Sequence, residues 1–184
     1  MKVLAFRILA TAALVAASSL SAHAGTLNFS GLPFSNGSPL VLSNATLTNL
    51  SGTTILVGAA VAGASDGFCF ASGGCQADGT IDFVGPVSNL NFDIDGWESG
   101  DFVAITAFNG GTSLGTINAT ANGNLNFASF GAITRLFFDD SSTSAGVAYS
   151  TFSFTQGGTT VPEPGTMALV GLALLGAVAS RRAR

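Results

Sequence analysis

Asn89-Leu90-Asn91-Phe92-Asp93-Ile94-Asp95 is the stretch that decides the fold class. Leu90, Phe92 and Ile94 fall at every second position, and the residues between them are asparagine or aspartate. Successive side chains of an extended chain point to opposite faces, so this pattern is a strand with one apolar and one wet face. Ala148, Ser150, Phe152 and Phe154 alternate in the same way with Tyr149, Thr151, Ser153 and Thr155. The segments 101–109 and 133–138 are apolar on both faces, as central strands are. Asn109-Gly110-Gly111 and Asn122-Gly123-Asn124 supply the left-handed conformations that hairpins need. Between Gly25 and Thr160 the good helix formers Glu, Lys, Gln, Met and Arg are nearly absent. The expected strands lie near 26–30, 40–50, 53–62, 79–84, 88–95, 101–109, 112–119, 124–130, 132–138 and 147–155. The expected fold is all-β, an antiparallel jelly-roll-like β-sandwich.

Both ends of the chain depart from this grammar. Lys2 and Arg7 precede an apolar stretch from Ile8 to Leu20, and Ala22-His23-Ala24 places small residues where a signal peptidase inspects the chain. Residues 1–24 therefore read as a signal peptide helix, cut after Ala24 to leave Gly25 first. At the other end Pro162-Glu163-Pro164 precedes an apolar run and then Arg181, Arg182 and Arg184. The apolar segment, about 166–180, would make a helix of about 22 Å at roughly 1.5 Å per residue. That is short of the roughly 30 Å hydrocarbon core of a bilayer. The arginines after it should stay cytoplasmic, which holds the rest of the chain outside the inner membrane. The expected organisation is a signal peptide (1–24), a sandwich domain (25–155), a flexible spacer (156–160) and a membrane-active tail (161–184).

The tail resembles the PEP-CTERM sorting signal of Gram-negative bacteria. The resemblance rests on Pro162-Glu163-Pro164, the apolar stretch from Met167 to Ala179, and the basic cluster at Arg181, Arg182 and Arg184. It implies transient anchoring in the inner membrane, processing by an exosortase, and delivery to the cell surface or an exopolysaccharide matrix. The section from Leu90 to Thr155 is similar in outline to the galactose-binding-like jelly rolls found in many PEP-CTERM proteins. The residues that carry this are Asn91-Phe92-Asp93, the run from Gly96 to Asp101, the strand from Val103 to Phe108, and the closing strand Tyr149 to Phe154. Such domains often carry paired aspartates before the closing strand. Thr151 and Ser153 stand there instead, which puts a ligand site at that edge in doubt.

Charge and composition exclude several functions. Outside the two terminal segments the acids are Asp66, Asp78, Asp82, Asp93, Asp95, Glu98, Asp101, Asp139 and Asp140, and the only base is Arg135. A domain near −8 repels phosphate, so nucleic acid is not a partner. The only histidine is His23 and the only lysine is Lys2. The expected mature domain thus has no imidazole for a triad or a zinc site, and no amine for a Schiff base. No catalytic residue is assigned.

Cys69 and Cys75 flank Phe70-Ala71-Ser72-Gly73-Gly74, and in an exported chain such a pair reads as a disulfide. The densest polar constellation holds Asp93, Asp95, Glu98 and Asp101 around Gly96 and Gly100. Four carboxylates could wrap Ca²⁺, which takes six to eight oxygens. The same residues could equally form a solvated acidic loop whose aspartates cap turns. Trp97, the only tryptophan, is either a sugar-stacking platform in that loop or a plug for the core. Tyr149 falls on the less apolar side of its strand, where it would meet a ligand or cover a sheet edge.

Three functions compete on these grounds. The first is a non-catalytic surface or matrix protein, exported and lodged in exopolysaccharide. The second is a carbohydrate-binding module using Trp97 and a calcium-stiffened loop. The third is a secreted hydrolase working with carboxylates alone.

Overall fold

A computed structural model describes residues 22–58, 61, 66–143 and 145–157. The signal segment up to residue 21, the end of the spacer and the sorting tail lie outside the described residues. Among the described residues no helix is long and apolar enough to cross a membrane.

The strands in chain order are β1 (Ala22–Gly25), β2 (Ser35–Gly37), β3 (Leu40–Val41), β4 (Ala45–Asn49), β5 (Thr54–Val57) and β6 (Gly67–Ala71). They continue as β7 (Gly79–Asp95), β8 (Val103–Asn109), β9 (Thr112–Ala119), β10 (Gly123–Asn126), β11 (Ile133–Asp140) and β12 (Ala148–Gly157). The fold is an all-β antiparallel sandwich, as the alternation in the sequence requires. One 3₁₀ turn, Ala128–Phe130, replaces the end of the strand expected over 124–130.

β7 makes the two layers. The expected strands 79–84 and 88–95 are one strand of 17 residues. Its first half pairs with β4 and β11, and its second half pairs with β12 and β10. The change of partners falls at Val84-Gly85-Pro86, where proline lacks an N–H for the ladder. One layer therefore runs β3-β4-β7-β11-β8-β9, and the other β2-β5-β6-β12-β7-β10. β1 lies beside the end of β12, with Ala22 opposite Gly157 and Gly25 opposite Phe154.

The core between the layers is built from phenylalanine. Phe92 stacks on Phe152 at 4.5 Å and on Phe127 at 5.5 Å. Phe68 and Phe70 come from β6, a strand missing from the sequence-based set. Gly67, Phe68, Cys69 and Phe70 are all buried, so no alternation marks the segment. Asn49 ties three strands at one end: its amide donates to the carbonyls of Thr54 and Ala71, and its carbonyl accepts from the N–H groups of Ser51 and Gly52. A buried amide so fully satisfied fixes the β4–β5 connection instead of destabilising it.

Tyr149 corrects the sequence reading. It is 1 % exposed and packs against Phe68, Phe70, Phe92 and Phe138, the last at 4.5 Å. The cause is a bulge: Thr151 has φ 53, and the pairing with β7 shifts between Ser150 and Ser153. An inserted residue reverses the phase, so Tyr149 shares the core with Phe152 and Phe154.

Candidate functional site

The outward face of the β4-β7-β11-β8-β9 layer assembles two cross-strand rows. In the first, Thr46 stands opposite Asp82, Asp82 opposite Arg135, Arg135 opposite Phe108, and Phe108 opposite Ser113. In the second, Thr48 pairs with Thr80, Thr80 with Phe137, Phe137 with Thr106, and Thr106 with Thr116. The inward neighbours Leu47, Ile81, Leu136 and Ile105 are fully buried, so the core locks these rows in place. Period-two alternation puts the members on β4, β7, β11 and β8 on the same face, and a bulge in β9 at the Ala107–Phe108 register shift brings Ser113 into line with Thr116.

The face is polar, with two rings set into it. The guanidinium of Arg135 donates from Nε to Asp82, with the two side chains 51 % and 37 % exposed. A pair this open contributes little to stability. Thr80 donates to the other oxygen of Asp82 at 3.2 Å, and the hydroxyls of Thr106 and Thr116 meet at 2.8 Å. Phe137 and Phe108 are half-buried. With Thr80, Asp82, Arg135, Thr48, Leu50 and the Gly110-Gly111 turn, the two rings line an open groove of about 540 Å³. The turn itself needs glycine, because Gly110 has φ 56.

Most of the sequence-predicted residues gather at one end of the sandwich. Ala148 pairs with Asp95 there, while Gln156 pairs with Val87 at the opposite end, near Ala22 and Gly157. Cys69 and Cys75 form the expected disulfide, with Cα atoms 5.3 Å apart. The four carboxylates considered for calcium each take a separate place. Asp93 accepts from the amide of Asn124 at 2.8 Å, and Asp95 accepts from the hydroxyl of Ser150 at 2.6 Å. Asp101 is buried and caps the turn through the N–H of Glu98 at 2.8 Å, while the Glu98 side chain is exposed. Among the described residues no three His, Cys, Asp or Glu side chains stand together as a metal cage. Trp97 packs half-buried against the core with its indole N–H buried, and its backbone N–H donates to Asn122 at 2.7 Å.

Two titrating groups near this end are displaced from their usual range. Burial raises the Asp140 carboxyl, the N–H and hydroxyl of Ser142 pull it back, and Asp101 and Asp78 raise it further. Tyr149 is pushed well above the phenol range, chiefly by burial and then by the charges of Asp140 and Asp78. Asp78 in turn accepts the N–H of Asp140 at 2.9 Å. This cluster belongs to the turn architecture.

Residues 160–183 match the family model of the PEP-CTERM protein-sorting motif. This covers Pro162, Glu163 and Pro164 with Arg181 and Arg182. Ala22 and Ala24, the expected signal-cleavage residues, stand in β1 beside the end of β12. Among solved structures, a tyrosine-to-alanine variant of a family 29 carbohydrate-binding module is 16 % identical with a TM-score of 0.35. That match covers 74 % of this chain and 94 % of the other, and a likeness so low places no ligand on this domain. No curated protein matches the chain. The protein therefore joins an all-β sandwich to a PEP-CTERM sorting signal, the mark of an exported protein sorted to the cell surface.

Proposed function

We propose that this is a non-catalytic protein of the cell surface or the exopolysaccharide matrix, anchored briefly in the inner membrane of a Gram-negative cell and released by an exosortase. The observation that carries the reading is the sorting motif at 160–183. The chemistry of the domain supports the absence of catalysis. Its one cation is paired with Asp82; Asp93 and Asp95 accept from Asn124 and Ser150 on neighbouring strands, and Asp101 accepts within its own turn. A glycosidase needs two carboxyls facing one cleft with their protonation states pushed apart. The open groove holds one, Asp82.

Fractionation tests the proposal. The wild-type protein is expected in the extracellular matrix, shortened at both ends. In a host lacking its exosortase, or with Pro162, Glu163 and Pro164 all replaced by alanine, it should stay with the membrane fraction. Release that is indifferent to both changes would refute exosortase delivery. Recovery from the cytoplasm at full length would refute export altogether.

A further inference from the structure

We propose that the two rows on the outer sheet face form a binding site for an uncharged polysaccharide, with Phe137 as stacking ring and the Arg135–Asp82 pair as the polar clamp. The proposal rests on the surface-protein reading for its setting and names the ligand of the groove. Three observations carry it.

The first is geometry. Phe137 on β11 is flanked in register by Thr80 and Thr106, so its half-exposed ring lies between hydroxyls. A pyranose presents an apolar C–H face that such a ring can cover, and a rim of hydroxyls for neighbouring polar groups. The five strands offer a track of about 19 Å at roughly 4.8 Å per inter-strand spacing, enough for several sugar units.

The second is charge. The groove is locally neutral, because Arg135 and Asp82 cancel. The remaining acids of the domain have no base to oppose them. A polyuronate or a sulfated glycan would meet repulsion with no free cation to offset it. An uncharged chain escapes that cost and still meets donors: the guanidinium bonds Asp82 through Nε, and this half-exposed side chain carries further N–H donors at its Nη atoms. Asp82 and the threonine hydroxyls supply acceptors.

The third is the texture of the face. Phe108 and Phe137 are diagonal neighbours on β8 and β11, with Arg135 and Thr106 on the other diagonal, so the two rings are edged by polar side chains. Sugar stacking uses rings edged by hydrogen-bonding groups, and the face provides two such rings side by side.

The test uses the exported protein in affinity gel electrophoresis against neutral glucans, mannans and galactans and against polyuronates. Retardation by at least one neutral polymer is expected, insensitive to salt, with none by the polyuronates. Phe137→Ala should weaken that binding at least tenfold. Arg135→Gln, at a half-exposed side chain whose loss leaves the fold intact, should weaken it several-fold. Phe34→Ala, at a residue 51 % exposed and outside the groove, should change nothing. Binding to polyuronates alone overturns the proposal. So does neutral binding that survives both groove variants, or that disappears in Trp97→Ala with Phe137→Ala unaffected. A correctly exported protein that binds none of the polymers also overturns it while leaving the surface assignment standing.

Discussion

Replacing Tyr149 by phenylalanine should stabilise this domain. The ring sits at the centre of the core, 1 % exposed, and phenylalanine would keep every ring contact it makes. The hydroxyl is another matter: it is buried, and among the described residues it has no hydrogen-bond partner. A buried polar group left unsatisfied costs about 1–3 kcal/mol, so its removal should recover on the order of 1 kcal/mol or more. For a domain of this size that is a rise of roughly 3–5 °C in Tm per kcal/mol. The neighbouring Ser150→Ala gives the opposite sign. It deletes a 2.6 Å hydrogen bond to the Asp95 carboxylate and should cost about 1.5–3 kcal/mol. Urea unfolding of the three proteins, followed by fluorescence of Trp97 and by circular dichroism, measures both. A Tyr149→Phe domain less stable than wild type by 1 kcal/mol would refute the reasoning, since it would show the phenol to be hydrogen-bonded.

Further predictions concern charge, covalent closure and packing. Burial holds the Asp140 carboxyl above its ordinary value of 3.8, so the folded chain binds that proton more tightly than the unfolded one. The stability linked to this group is present at low pH and lost as pH rises through the raised value. Asp140→Asn should therefore exceed wild type in stability at pH 7, with the gap closing toward pH 4; a gap constant with pH would contradict this. Reducing the Cys69–Cys75 bond opens only a small loop, at a separation of 6 residues. Its loss should lower stability by about 2 kcal/mol in urea titrations and leave the fold intact. Gly25 faces Phe154, whose ring occupies the place where a Cβ would stand. Gly25→Ala should thus destabilise by about 1–3 kcal/mol, more than trimming the exposed residues 22–24, as thermal melts of the two would show.

The legible parts of the fold were those where one face is wet. Leu90, Phe92 and Ile94 announced half of β7 because asparagine and aspartate separate them. β6 was illegible because Gly67, Phe68, Cys69 and Phe70 are all buried, so no alternation marks it. The phase of Tyr149 could not be seen, since a bulge depends on the partner strand and leaves no mark on the alternation. The groove was half visible. Arg135 stood out as the domain's only base, and Phe137 follows it by two positions, hence on the same face. What the sequence lacked was the register that sets Asp82 on one side and Phe108 on the other. The acidic loop left two readings open, a cage and a capped turn. Four carboxylates in nine residues suggest a cage, but strand pairing sends Asp93 and Asp95 toward Asn124 and Ser150.

Intact-mass analysis of the protein recovered from outside the cell tests the account most directly. The expected species begins at Gly25, has lost Arg181, Arg182 and Arg184, and carries one disulfide. A full-length chain with Met1 and Arg184 still attached would contradict it.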